Sequence, residues 1–440
     1  MITIVARAAP FALAALLASF PAAAQESTQD TAAAAAPDST WREHYDAGEA
    51  ARRAGDWGTW RYALVRVREQ IGYHPSIVLN LARADARLGR TEDAVEWLRA
   101  YAATGLTSDV AADSALESIR SAPGWAAIAE RIAANARPVG AAQVAFTLAD
   151  SAFLPEGVAF DPRTGRFFLS SLRHGGIAAY SPAGGWTEFV PARPDGQWSM
   201  LAVAADTLTR TLWATTAASP LFAGYQAADS GRSALLAYDM DTGALRRRYE
   251  PQGDGPHTLG DMAVAPDGTV YVSDADEGVV YRVERGATEM EPFAAEGLVS
   301  PQGIAVAADG RRLYVADYVR GIAIVDRQSS EVEWVHAPDS IAISGTDGLV
   351  RAGRGLIALQ NGVTPKRVIY LELDAAGKAV TGWRPLESGT PLLTQPTHGV
   401  VVGGELFFIP DSGWERIGDD GAVKPGMVLE PAHVMRMPLP

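Results

Sequence analysis

The chain has 440 residues, 48% hydrophobic and 20% charged, enough apolar material for a sizeable core and too many residues for one ordinary small domain unless a β-rich ring absorbs most of them. The formal net charge of −14 repels phosphate backbones and anionic lipid, which excludes nucleic acid and membrane surfaces as expected partners. No cysteine is present, so no disulfide and no thiol-linked lipid anchor holds the protein; packing alone must do so.

The first residues have the order of an export signal. Arg7 is followed by an apolar run from Phe11 to Phe20 and by "PAAAQ", a small-residue cleavage site after Ala24. The run is too short to span a bilayer. Residues 1–24 are therefore expected to be a signal peptide, which implies a periplasmic or secreted protein. Residues 25–40, "QESTQDTAAAAAPDST", are small and polar and are expected to form a flexible linker.

From Trp41 the spacing is helical. "HYDAGEAARRAGDWGTWRYALVRVREQIGYHP" gives a helix, a glycine turn, a second helix and a proline stop, and "SIVLNLARADARLGRTEDAVEWLRAYAATG" repeats the pattern. The turn glycines Gly55 and Gly89 lie 34 residues apart, and Ala94, Trp97 and Leu98 fall where a second helix would pack. These residues resemble about two tetratricopeptide repeats. The resemblance implies a protein partner for residues 41–137, although so short an array can equally be a cap on the next domain. "ARPVGAAQ" (136–143) breaks the pattern and marks the boundary.

Beyond it one hairpin recurs. "PEGVAFDPRTGRFFLSS" (155–171) is echoed by "MLAVAADTLTRTLWATT" (200–216), "GDMAVAPDGTVYVSD" (260–274), "PQGIAVAADGRRLYVAD" (301–317), "TDGLVRAGRGLIALQ" (346–360) and "THGVVVGGELFFIPD" (397–411). Each copy is an alternating apolar strand, a turn and a second apolar strand, and a third strand follows. Six copies at roughly 40- to 60-residue spacing predict a six-bladed β-propeller over residues 141–440. "AHVMRMPL" near the C-terminus and "AAQVAFTLA" (141–149) are expected to close the last blade together and protect its edge. The predicted fold is mainly β, preceded by a small α-helical domain.

The P-E-G opening, the P-x-G-I-A strand start, the Y-V-A-D strand end and the T-D-G-L segment resemble the SMP-30/gluconolactonase/LRE-like six-bladed propellers over about residues 150–440. One position, just before the strand-opening glycine or its equivalent, reads Glu156, Leu201, Asp261, Gln302, Asp347 and His398 across the six copies. In a propeller these positions converge on the central channel. Three carboxylates, an amide and an imidazole would then ring one cavity, and a hard divalent cation with oxygen ligands would relieve the repulsion. Acids at strand starts also serve as turn acceptors for backbone N–H groups, which is the competing explanation.

The resemblance implies one divalent metal held by a glutamate of the first blade, an asparagine and an aspartate. Glu156 and Asp347 match two of these, Gln302 stands where asparagine is expected, and Asp261 lies beside a substrate-contact position. His398 has no counterpart in that triad. Glu156, Gln302, Asp347 and Asp261 are thus the expected ligands of one divalent ion, Ca²⁺ first and Zn²⁺ or Mn²⁺ next. Asp347 or His398 is the expected catalytic base, and Asp317 and Asn361, at second-strand ends, are candidate substrate contacts. His174, His257 and His336 recur at no repeat position and default to surface or core. No G-x-S-x-G elbow supplies a competing nucleophile. The resulting expectation is an exported, metal-dependent hydrolase of lactones or related esters acting on a small-molecule substrate. The alternative is a non-catalytic periplasmic binding or scaffold protein joining helices to a propeller.

Overall fold

A computed structural model describes residues 39–192, 196–253 and 255–440. The expected signal peptide and nearly all of the expected linker lie outside the described residues.

The chain divides into two compact units. The helical unit holds α1 (Trp41–Ala54), α2 (Trp57–Ile71), α3 (Pro75–Arg87), α4 (Thr91–Ala103) and, after a short 3-10 turn, α5 (Trp125–Ala134). Local chemistry sets these limits. Thr40 and Glu43 form a reciprocal capping box at α1, and Asp56 caps α2 by accepting from the Thr59 N–H at 3.0 Å. Pro75 opens α3, where a missing N–H costs nothing. The two helical hairpins interlock through Asp85. Fully buried on α3, it accepts from Arg61 of α2 at 2.5 Å and from the Trp97 indole of α4 at 2.9 Å. A buried carboxylate held this way fixes how the helices register.

The second unit is the predicted propeller. The described residues form six four-stranded antiparallel sheets. Blades 1 to 5 run consecutively over 155–190, 199–249, 259–294, 301–334 and 346–388. Blade 6 takes Gly399–Val402, Glu405–Phe408 and Ala432–Pro438, and its outermost strand is Gln143–Leu148. That strand pairs antiparallel with Ala432–Pro438, Leu148 opposite Ala432, so the two ends of the propeller region close the ring as expected. Innermost strands of successive blades touch all the way round, from blade 1 through blade 6 and back to blade 1.

The core consists of the layers between blades. Phe168, Met200 and Leu236 fill the space between blades 1 and 2, and Leu235, Val272 and Tyr281 that between blades 2 and 3. Each blade buries both faces against its neighbours, which is why its strands alternate weakly and read as nearly continuous apolar runs.

Candidate functional site

The six inner-strand positions owe their direction to a break in each hairpin ladder. In blades 1 to 5 the register between the first and second strands slips across a two-residue pair, Glu156-Gly157, Leu201-Ala202, Gly260-Asp261, Gln302-Gly303 and Asp347-Gly348, so Asp261, expected at the first place, stands in the second, where blades 1, 4 and 5 carry glycine. The slip removes the pair from the ladder and breaks the in-out alternation of its side chains. Neighbouring hydroxyls replace the lost backbone bonds. Ser170 Oγ accepts from Gly157 N–H at 2.7 Å and donates to the carbonyl of Leu201 in the next blade. Thr215 Oγ1 accepts from Ala202 N–H at 3.0 Å and donates to Gly260 O at 2.7 Å.

The glycines are required by how closely the inner strands approach. A Cβ on Gly157 would stand 2.7 Å from Leu201 O, one on Gly303 2.4 Å from Asp347 O, and one on Gly348 2.0 Å from Thr397 O. Any side chain there would push two blades apart. The polar-glycine motif thus brings the inner strands into backbone contact and leaves the polar residue beside the axis.

Within the ring, His398 and Asp261 find each other. His398 Nε2 lies 3.2 Å from Asp261 Oδ1, and both side chains are nearly buried. Blades 3 and 6 are opposite members of a six-membered ring, so this pair crosses the channel. His398 Nδ1 is 3.0 Å from the carbonyl oxygen of Glu156, and the Thr397 hydroxyl donates to the same oxygen at 2.8 Å. Burial alone would strip the imidazole of its proton, but Asp261, Glu156 and Asp347 outweigh it and raise its pKa to about 10. His398 is therefore a cation at neutral pH. Of the two base candidates, it is the one that already carries its proton.

Glu156 and Asp347 are held differently. Glu156 is buried, and its Oε2 accepts from the Trp414 indole N–H at 2.7 Å. Burial first, and the Asp347 charge second, push its carboxyl well above the ordinary range, against the pull of His398 and Trp414. Asp347 Oδ2 accepts from the Asn361 amide at 2.5 Å, and Asn361 Oδ1 accepts from Tyr318 OH at 2.9 Å. Burial raises Asp347 as well, with His398 and Asn361 acting to lower it. Gln302 is half-buried; its amide NH₂ donates to Ser300 Oγ at 3.2 Å, leaving its carbonyl oxygen as a free donor atom.

The fit to a divalent cation follows from these partners. Among the described residues no three of His, Asp and Glu stand close enough together to grip one ion. Asp261, expected as a ligand, instead faces His398 and accepts from the Met262 N–H at 2.6 Å. What remains is Glu156, Asp347 and the Gln302 carbonyl, two carboxylates short of positive charge and one amide oxygen. Such an all-oxygen set suits a hard divalent cation.

Two expected substrate contacts have other duties. Asp317 is fully buried, with its oxygens accepting from the N–H groups of Val299 at 2.6 Å, Ser300 at 3.0 Å, Val319 at 3.1 Å and Arg320 at 2.9 Å. It braces the segment that enters blade 4 and the turn between that blade's second and third strands, so its oxygens are committed to backbone. Asn361 orients Asp347. Leu201, the apolar exception in the ring, packs with Leu154, Leu172 and Ile417 and seats the 409–431 segment that carries Trp414. Trp414, Tyr318 and Lys366 lie at no repeat position, and sequence periodicity passes over them.

Comparison with known proteins follows the same outline. Residues 154–348 match the family model described as SMP-30/Gluconolactonase/LRE-like region. None of the curated proteins matches the chain at a significant level. Among solved structures, a gluconolactonase from Xanthomonas campestris is 19% identical with a TM-score of 0.47, covering 70% of this chain and 93% of its own. Regucalcin from Agrobacterium tumefaciens, described as a calcium-binding protein, is 18% identical with a TM-score of 0.46 over 67% of this chain and 94% of its own. Virginiamycin B lyase from Staphylococcus aureus is 14% identical with a TM-score of 0.45 over 61% and 81%. The match to the SMP-30/Gluconolactonase/LRE-like region, residues 154–348, spans four complete blades and reaches Asp347.

Proposed function

We propose that the protein is a hydrolase of lactones or related esters that works at the channel ring with a divalent cation. The observation that carries this reading is the pair Glu156, buried, and Asp347, half-buried, at the same inner-strand position of blades 1 and 5, with one indole N–H and one amide as their hydrogen-bond donors, in a propeller whose residues 154–348 match this family. Glu156, Asp347 and Gln302 are the residues that would hold the ion, with Ca²⁺ the expected occupant. When bound, such an ion supplies polarisation of an ester carbonyl.

The chain's own groups divide the proton work. Asp347, ionisable near neutrality and fixed by Asn361, takes the proton of the attacking water as a C–O bond forms to the carbonyl carbon. His398 enters protonated and is placed to donate to the alkoxide as the ring C–O bond breaks; Asp261 keeps it charged and in position. Trp414 fixes the Glu156 carboxylate.

Metal analysis of protein purified without chelator, followed by assays of simple lactones with added Ca²⁺, Zn²⁺ or Mn²⁺, tests the proposal. Bound metal and lactone hydrolysis that disappears in Asp347→Asn are expected. Undiminished hydrolysis in that variant overturns the assignment. We also propose export to the periplasm or medium, resting on Arg7, the 11–20 run and the site after Ala24. N-terminal sequencing should find a mature chain that starts at Gln25, and an intact Met1 in exported protein would contradict it.

A further inference from the structure

The chain contains three lysines against thirty-five arginines. One of the three, Lys366, stands beside the candidate site. Its Nζ donates to the backbone carbonyl of Asn361, whose side chain holds Asp347. On its other side the Nζ lies 3.9 Å from a carboxylate oxygen of Glu415, the neighbour of Trp414, which holds Glu156. Lys366 is therefore flanked by the two segments that fix Glu156 and Asp347.

Its charge is poorly matched. Nearby arginines are engaged by short bonds, Arg367 to Gln360 Oε1 at 2.6 Å and Arg416 to Asp411 at 2.6 Å. Glu415 at 3.9 Å is beyond hydrogen-bond reach of Lys366, and it is largely exposed and free to swing away. The Lys366 side chain keeps 28% of its surface open, so a ligand can reach it. Burial of the rest pulls its pKa below the ordinary lysine value, with Glu415 opposing. A cation kept part-desolvated in a strongly acidic protein has a purpose other than solubility. Lysine also suits a ligand whose angle varies, since its ammonium is a point charge with three rotating donors, whereas arginine demands a fixed fork.

We propose that Lys366 selects substrates bearing a carboxylate, binding that group at the channel mouth in the place Glu415 now approaches, while the ester carbonyl lies over Glu156 and Asp347. The proposal rests on the hydrolase reading of the same site. It makes Lys366 a specificity residue: a neutral lactone would lack the anchor, and an anionic one would be drawn past the negative surface by a single local cation.

The experiment compares γ-butyrolactone with its 5-oxotetrahydrofuran-2-carboxylate homologue in wild type, Lys366→Met and Lys366→Arg. The readout is the ratio of kcat/KM for the carboxylated over the neutral ring. A charge-assisted hydrogen bond predicts that Lys366→Met lowers this ratio about 10- to 100-fold, chiefly through KM for the acid, and that Lys366→Arg recovers part of it. A ratio unchanged in Lys366→Met overturns the proposal. If neither ring is hydrolysed by wild type, the hydrolase reading fails on its own. Calorimetric titration with 2-hydroxyglutarate, the ring-opened acid, then decides the lysine. Binding to wild type that is lost in Lys366→Met supports the carboxylate site, and absence of binding to wild type overturns it.

Discussion

Glu156 and Asp161 sit five residues apart on the same innermost strand, both are buried acids, and they meet opposite fates. Asp161 accepts two parallel bonds from the Arg210 guanidinium, at 2.7 and 2.8 Å, plus the Thr164 hydroxyl at 2.7 Å and the Arg163 N–H at 3.0 Å. Burial would raise its pKa, but these partners outweigh it and hold the carboxyl far below the usual range. Glu156 receives one indole N–H, and burial first and the Asp347 charge second move its pKa up. Burial therefore does not distinguish a strut from a site; the count and charge of the partners does. Asp161 cross-links the outer turns of blades 1 and 2. Glu156 is left with capacity that only something from outside the chain can use.

The largest expected effect breaks the site end of this comparison. Glu156→Gln and Asp347→Asn should each lower lactone hydrolysis by about 10²- to 10⁴-fold, the range for removing a positioned acid-base group, with the melting temperature unchanged or higher. Steady-state kinetics and thermal denaturation of the same preparations check both halves. Arg210→Met should do the reverse. It leaves a buried carboxylate without its partner and should cost about 3 kcal/mol of stability, measured by urea denaturation, while activity below the transition stays within twofold.

How much of this was legible follows from how local each signal is. The six hairpins were, because a strand, a P-D-G-type turn and a strand are contiguous, and copies in register locate Glu156, Gln302, Asp347 and His398 at one inner-strand position, whereas Asp261 stands one residue later, where the other blades carry glycine or alanine. The closing strand was legible from the matched apolar segments at 141–149 and 432–438. Pairings across the axis were not. That Asp261 turns to His398 rather than to an ion depends on which blades face each other at 3.2 Å, and that distance is fixed by all six blades together. Asp317 misled because a strand-end acid beside a loop has the same sequence signature whether it meets substrate or four backbone N–H groups. Trp414 lies in a 409–431 excursion, the longest connection between second and third strands in the ring, and nothing periodic announces it.

A smaller effect comes from pH, and its sign separates the two acids again. A carboxyl whose folded pKa lies above its unfolded one favours the fold while protonated, and this contribution is lost as pH rises through the folded value. Glu156 and Asp347 are of this kind, and the His398 imidazolium adds to the same trend up to about pH 10. Asp161 has the opposite sign, with its contribution present at neutrality and lost only on acidification below the ordinary carboxylate range. Metal-free protein should therefore melt at progressively lower temperature from mildly acidic to alkaline pH. Glu156→Gln should flatten that slope, and added Ca²⁺ should reverse it by binding the ionised pair. A metal-free melting profile that rises with pH over that span would contradict the ring as described.

The smallest effect isolates the single bond that Glu156 does receive. Trp414→Phe keeps the ring's packing on Ile417 and Leu429 but removes the indole N–H that lies 2.7 Å from Glu156 Oε2. That donor favours the ionised carboxylate, so its loss should raise the Glu156 pKa further and shift the acid limb of the pH-rate profile to higher pH. At pH 7 kcat/KM should fall about tenfold, in keeping with one charge-assisted hydrogen bond, and most of the loss should be recovered at pH 9. Recovery with pH identifies the defect as protonation. A uniform loss at every pH would mean that Trp414 acts by shaping the channel mouth, and Glu156 would then be set by its blade neighbours alone.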